Sequence, residues 1–547
     1  MIHRNREWKR EKIADRRFRQ RVGEALLVRR FRQRVPEVLL VLLLLFVVGE
    51  FVCANLFHYT RYMDADIAGE VLFAKMTAKN GLIPPSTWAY STERRTLYPC
   101  RLGAVLYALT GNLNLSMGVA CSLSFCFLLL LMGLLYQKAG FSRIELLCAL
   151  LFTLTLTCNI QGFQTMIALY AGYYLSQMGG LFLTLLLLTG LSGKRREVGE
   201  KRRSFGNEVR MAGLILLAVL LGRQGMRAFL MVYLPIAGTT FFLWLVKKRE
   251  REALQFVTAL LLTFLNYLTV KMTASNPLST TRNLRHGPEK LFRVVIPQIG
   301  EMMQLPEGRW LWILPCVLGV LGLIYACGDC CRKQEEGDLL AAQVVLCLWA
   351  SLMAMVFSAS FTTMESSSRY FIALPFAIGA SCAYLLLRSR KKMESRCVRT
   401  LSLVMVLLVL ATGSRAAWIN MDQLLLRDET ENSWLARAGR FLEEEGYDHA
   451  YSTFYLAGPV SVLTNGRVQV SQLDQFRDMK AMKWLSDASW YPPLTKSEEK
   501  TAFLVTEANR KDMELFLQKH PDLLLGVTEL DGLRIYECKR NVTRWGE

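Results

Sequence analysis

Long apolar runs separated by short polar or basic segments fill the chain as far as about residue 412. Several are longer than the roughly 17 residues that a helix needs to cross a bilayer. They predict eleven membrane spans, near residues 36–57, 115–136, 144–158, 173–191, a pair within 211–246, 254–270, 310–325, 339–357, 370–387 and 401–412. The pair is short for two crossings, so it has to turn sharply at the one interruption, Gly222 to Arg227. Ser142 and Glu145 have capping-box spacing ahead of the third span. From about residue 420 the pattern changes. Residues 430–445 read as a helix, AYSTFYLA and GRVQVSQL as strands around a turn at Thr464-Asn465-Gly466, and TAFLVT as another strand. DMELFLQKH reads as a helix, and GVTELDGLRIYECK as a hairpin turning at Asp531-Gly532.

The expected fold class is therefore an α-helical multi-pass membrane protein with a C-terminal extracytoplasmic α/β domain. It divides into a basic arm (1–35), a transmembrane domain (36–415) with outer loops 59–112 and 273–308, and the C-terminal domain (420–547). A hydrophobic content of 52% agrees with a bundle that carries a polar remainder. The first 36 residues have no early apolar core, so the run from Pro36 reads as a signal anchor and not a cleaved leader.

Charge orients the bundle. Residues 1–36 hold 13 Lys and Arg against 4 Asp and Glu, and repeat RRFRQRV at Arg16 and Arg29. Beside a span, such an arm reads as cytoplasmic and drawn to anionic lipid. The membrane context accounts for the charge, so no nucleic-acid partner is expected. Basic clusters at 194–210, 247–251 and 388–400 agree, placing the amino end inside the plasma membrane and the carboxyl end outside. Most of the 14 cysteines sit in apolar runs as small hydrophobes, and the cluster at Cys327, Cys330 and Cys331 has no histidine nearby to complete a zinc site.

One polar stretch follows the first span directly: YMDADIAGEVLFAKMTAKNGLIPPSTWAYSTERRTLYP, Tyr62 to Pro99. Asp64 is placed to cap a helix on which Asp66 and Glu70, four apart, share a face. Gly81, Pro84 and Pro85 end that helix, Trp88 and Tyr90 suit the headgroup level, and Leu102 to Leu109 read as an interfacial amphipathic piece. Three carboxylates at the mouth of a span point to a site.

Glu93, Arg223, Arg227, Arg282, Arg285, Arg369 and Tyr370 all fall on the same outer side. Nucleotide-binding fingerprints are absent, and an outer site cannot count on nucleotide donors. An activated group would arrive there on a lipid carrier. A carboxylate would take a proton from the attacking hydroxyl or amine, and arginines would hold the phosphate as it leaves.

DADIAGE after the first span, GLIPPSTWAYSTE behind it, GRQGMR at an outer turn and ESSSRY before a late span resemble the GT-C glycosyltransferase superfamily. The likeness is to its family 39-like and RgtA-like bacterial membrane proteins. The resemblance implies a polyprenyl-phosphate sugar donor, an envelope lipid, polymer or protein as acceptor, and an inverting single displacement. It implies Asp64 as first choice for the catalytic base and Asp66 as second, with Glu70 orienting the site. Arg369, Arg223 and Arg227 would meet the donor phosphate. Metal dependence varies in the superfamily, so a divalent metal on Asp64, Asp66 and Glu70 stays open. A flippase of lipid-linked sugars and a non-catalytic envelope-assembly scaffold are the other readings. A flippase would favour repeated halves and charges at mid-membrane, which the sequence lacks.

Overall fold

The structure is a computed structural model. It describes residues 34–545 except 62, 160–162, 171, 192–199, 274–285, 303–308, 333–335, 393–394, 427–432 and 493–499. Residues 1–33 of the basic arm, and Arg282 and Arg285, lie outside the described residues.

After the first span α1 (Arg34–Phe57), the chain forms an outer helix α2 (Ala65–Lys79), a short strand β1 (Trp88–Ala89) and a further helix α3 (Pro99–Thr110). The bundle continues with α4 (Leu113–Lys138), α5 (Arg143–Asn159), the short α6 (Phe163–Ile167), α7 (Leu175–Leu188) and α8 (Glu200–Gln224). Next come α9 (Met226–Lys247), α10 (Glu250–Thr273), α11 (residues 287–302), α12 (Arg309–Cys330), α13 (Glu336–Phe361), α14 (Ser368–Lys391) and α15 (Ser395–Asn420).

Eight helices among the described residues are long and apolar enough to cross a membrane. The other three expected spans coincide with α5, α7 and α8. α5 has 17 residues and α7 only 14, short of the roughly 20 that a spanning helix uses. Both are largely buried by their neighbours, so neither needs to reach lipid along its length. The capping box opens α5 as expected: the Ser142 backbone N–H donates to Glu145 Oε2 at 2.6 Å and the Glu145 N–H donates to Ser142 Oγ. α14 is buried along its whole apolar window and packs on α5, α12 and α13, which makes it the hub of the bundle.

The C-terminal domain holds α16 (Ser433–Glu444), β2 (His449–Thr453), α17 (Phe454–Leu463), β3 (Gln469–Gln475), β4 (Lys480–Ala481), β5 (Ser486–Asp487), β6 (Thr501–Thr506), α18 (Glu507–Lys519), β7 (Leu524–Leu530) and β8 (Leu533–Cys538). Six strands form one sheet in the order β4-β3-β2-β6-β8-β7, with β2 parallel to both β3 and β6 and the other pairs antiparallel. The strand expected over AYSTFYLA stops at Thr453. Phe454 onward is helix because two parallel neighbours, β2 and β3, need a crossover between them. The hairpin turns at Asp531-Gly532, both with positive φ (51° and 81°).

This domain is clamped to the first outer loop. β1 pairs antiparallel with β5, matching Trp88 to Asp487 and Ala89 to Ser486. α17 lies on α2, Lys75 Nζ donates to the Gly466 carbonyl at 2.7 Å, and Asn465 Oδ1 accepts from the Leu113 and Asn114 N–H groups at the start of α4. The headgroup reading of Trp88 is corrected. Its ring is 4% exposed and meets Trp490 edge to face at 5.5 Å, because the domain covers the loop and burying two indoles there outweighs leaving one at an interface. α3 follows its expectation, with Leu102, Val105 and Leu109 exposed on one side and Cys100, Gly103 and Ala104 buried on the other.

Candidate active site

Asp64 starts the site. Its backbone is extended (φ −103°, ψ 173°) and its Oδ1 accepts the Ile67 N–H at 2.6 Å, so it is the N-cap of α2. The carboxylate reaches solvent on one side and is crowded by protein on the other. That desolvation pushes its pKa up to about 6, helped by the Asp66 charge and opposed by the Ile67 N–H and Arg369.

One turn further, α2 splits its two remaining carboxylates. Glu70 is 1% exposed and faces inward, where Arg95 meets its Oε1 through Nε at 2.6 Å and Nη2 at 2.5 Å. Arg95 also donates to Ser91 Oγ at 2.9 Å and to the Glu93 carbonyl. Asp66 faces an open cleft of about 430 Å³ and stands 3.7 Å from Arg369 Nη1.

Five parts of the chain wall that cleft besides α2. The first outer loop supplies Ser91, Thr92, Glu93, Arg95 and Tyr98. Met166 comes from α6, Tyr173 and Tyr174 from the segment that leads into α7, and Arg227 from the start of α9. The turn before α14 brings Thr363, Met364 and Glu365, the start of α14 brings Arg369 and Tyr370, and the C-terminal domain adds Trp484.

The sharp turn expected between Gly222 and Arg227 occurs at Gly225. Its φ of 143° is a conformation that side chains rarely adopt, and an added Cβ would lie 3.2 Å from Glu93 Cγ. Gln224 ties this turn to the first outer loop, its carbonyl accepting the Arg94 N–H and its Oε1 the Leu97 N–H. Arg227 is thereby aimed into the cleft. Its Nε lies 3.5 Å from Glu93 Oε1, and its guanidinium lies over the rings of Tyr174 (5.4 Å) and Tyr370 (5.9 Å). Glu93 also accepts from the Tyr98 hydroxyl at 2.5 Å. Burial, then the Glu93 charge, holds the Tyr98 phenol well above its usual range, so it stays a neutral donor. The buried hydroxyls of Tyr173 and Tyr174 and the Nε of Arg369 have no hydrogen-bond partner among the described residues. Donors of this kind at a cleft wall suit an anionic, oxygen-rich ligand.

Of the residues singled out in the sequence, the cleft collects Asp66, Glu93, Arg227, Arg369 and Tyr370. Asp64 caps the helix beside it, Glu70 lies one layer behind it, and Arg223 is an exposed residue outside it. Arg95, Tyr98, Tyr173, Tyr174 and Trp484 were not singled out. Only the Tyr173-Tyr174 pair had a local signal, an aromatic doublet in a loop between spans. Among the described residues no group of three His, Cys, Asp or Glu side chains converges to hold an ion, and Glu70 is turned to Arg95.

No protein-family model matches the chain, and no curated protein matches it. Solved structures do. ArnT from Cupriavidus metallidurans, bound to undecaprenyl phosphate, superposes with a TM-score of 0.52 over 91% of this chain and 97% of its own, at 12% identity. The arabinofuranosyltransferase AftD from Mycobacteria is similar over 93% of this chain and 40% of its own, with a TM-score of 0.46 and 12% identity. The chain shares its overall fold with ArnT.

Proposed function

We propose that this protein is a membrane glycosyltransferase that moves a sugar from a polyprenyl-phosphate donor to an envelope acceptor on the extracytoplasmic face. One observation carries the reading: a carboxylate, Asp66, and two arginines, Arg227 and Arg369, share a cleft on the side of the bundle where the outer loops meet. The fold shared with ArnT, whose structure holds undecaprenyl phosphate, supports the donor class.

Asp66 is the general base in this reading, because it lines the cleft, while Asp64 spends one oxygen on the Ile67 N–H. An acceptor hydroxyl gives its proton to Asp66 as its oxygen bonds to the anomeric carbon. The bond from that carbon to the phosphate oxygen breaks, and the phosphate leaves with the electron pair and inverts the centre. Arg227 and Arg369 stabilise the charge that develops on it. Glu93 and the two tyrosine rings hold Arg227 in place for this.

The test uses membranes holding the wild type or the double variant Asp64→Asn with Asp66→Asn, supplied with labelled polyprenyl-phosphate sugars. Release of polyprenyl phosphate by the wild type and its loss in the variant, at equal protein levels, is the expected result. Equal release by both would sink the proposed base. No release by either, with flipping of the labelled lipid, would favour the transporter.

A further inference from the structure

The C-terminal domain does more than cover the outer loop, because one of its side chains forms part of the cleft. Trp484 lies between β4 and β5 and is half-buried at the cleft wall. Trp484 also packs in part against the main core, and the domain's other indoles meet aromatic rings or the second core. Trp490 meets Trp88, Trp545 meets Tyr491, and Trp434 packs on the core under α16. Trp484 pairs with no aromatic ring among the described residues.

Its position is heavily constrained. The next residue, Leu485, has a φ of 51°, a left-handed conformation that a bulky side chain rarely adopts. Leu485 is 2% exposed and seats against Gly69 of α2, where an added Cβ would lie 2.7 Å from Leu485 Cδ1. Gly69 lies between Asp66 and Glu70 on α2, so the docking point of this segment is on the site helix itself. Beyond Leu485 the chain enters β5, held to β1 by Asp487, whose carboxylate accepts from Thr87 Oγ1 at 2.9 and 3.0 Å. Before it, the Trp484 carbonyl accepts from Gln472 of β3. A strained residue clamped from both sides is what is needed to hold a flat ring at a fixed place.

We infer that Trp484 is the platform on which the acceptor seats, and that the acceptor is a carbohydrate, one face of its ring lying on the indole. This rests on the transferase reading above. A donor anchored in the bilayer keeps its phosphate beside Arg227 and Arg369, which stand at the starts of the spans α9 and α14. In an inverting displacement the attacking group comes from the side opposite the leaving group. The domain that follows the last span contributes Trp484, an aromatic side chain, to the cleft wall among the described residues. An indole suits the C–H side of a sugar ring, with the ring's hydroxyls left for Asp66 and for the hydroxyls of Tyr173 and Tyr174, which have no partner among the described residues.

The experiment measures acceptor and donor KM separately in full-length protein in membranes. The acceptors are methyl hexopyranosides, methyl pentofuranosides and oligosaccharides cleaved from envelope glycan, and the donor is a labelled polyprenyl-phosphate sugar. Trp484→Ala should raise the acceptor KM about three- to tenfold and leave the donor KM in place, and Trp484→Phe should recover most of the loss. An equal rise in both KM values, or a fall in kcat alone, makes Trp484 merely structural and overturns the inference. So does donor consumption by the wild type that no carbohydrate accelerates, an outcome that leaves the transferase reading standing. If the wild type consumes no donor at all, the transferase reading fails and takes this inference with it. Trp484→Leu, which keeps the apolar contact without the flat ring, serves if the alanine variant does not accumulate. It should behave like alanine in acceptor KM.

Discussion

Asp64 and Asp66 are two residues apart, yet the structure gives them different work, and three substitutions separate it. Asp66→Asn removes the proton acceptor from the cleft while keeping its size. Loss of a general base costs about 10²- to 10⁴-fold in rate, or roughly 3–5 kcal/mol of barrier. Asp64→Asn keeps the cap, since an amide oxygen accepts the Ile67 N–H as a carboxylate does, and should cost less than about tenfold. Asp64→Ala loses the cap and should lower stability by about 1 kcal/mol in addition. Acidity gives an independent check. Asp64 gains a proton as the pH falls through about 6, so the wild type at pH 5 carries the same neutral Asp64 as Asp64→Asn at pH 7. The assay is release of polyprenyl phosphate from labelled donor between pH 5 and 8, with protein levels and thermal midpoints measured alongside. If Asp64 were the base, the wild-type kcat/KM would fall about tenfold per pH unit below about 6, and Asp64→Asn would lose both activity and that acid limb. A collapse in Asp64→Asn with near-normal turnover in Asp66→Asn would refute the assignment.

Three further outcomes follow from the packing. Arg95→Met strands Glu70 as a buried, unpaired carboxylate and should destabilise the outer loop by about 3–5 kcal/mol, whereas adding Glu70→Leu should restore most of it; a double-mutant cycle on thermal midpoints in detergent reads both, and a single-variant cost below about 1 kcal/mol would contradict the buried pair. Gly118→Ala puts a Cβ 1.9 Å from the Asn55 carbonyl oxygen, so α1 and α4 have to separate, and a lower midpoint with reduced accumulation in membranes is expected. Lys75, which holds the C-terminal domain at Gly466, has its pKa pushed by burial from 10.5 down to about 8. Between those values the unfolded chain holds the proton that the folded one has lost, so stability should rise with pH from about 8 to 10.5, by of order 3 kcal/mol, and Lys75→Met should flatten the rise.

Much of the architecture is legible locally. The apolar runs, the box at Ser142 and Glu145, the breakers after Lys79 and the Asp531-Gly532 turn each act over a few residues, and each appears where its chemistry predicts. AYSTFYLA is a miss because a run of that composition suits strand and buried helix alike, and only the parallel pairing of β2 with β3 decides between them. The site is half legible. Carboxylates and arginines near membrane edges stand out because they are costly there, which brought Asp66, Glu93, Arg227 and Arg369 to notice. Arg223, four residues before Arg227, looked equivalent until the turn at Gly225 sent it outward.

The sequence by itself determined that the chain is a helical membrane bundle with an α/β tail, and which polar groups stand at the outer loops, since both follow from the cost of burying charge and bare backbone in hydrocarbon. Tertiary structure alone decided which of those groups meet. Glu70 and Asp66 occupy one helix, and only packing against the first outer loop sends one to Arg95 and leaves the other beside Arg369. Trp484 is more than 400 residues from Asp66 in the chain and looks like any other tryptophan in the sequence. The β1–β5 pairing and the seat of Leu485 on Gly69 bring it to the cleft, and contacts at that separation leave no local pattern to read.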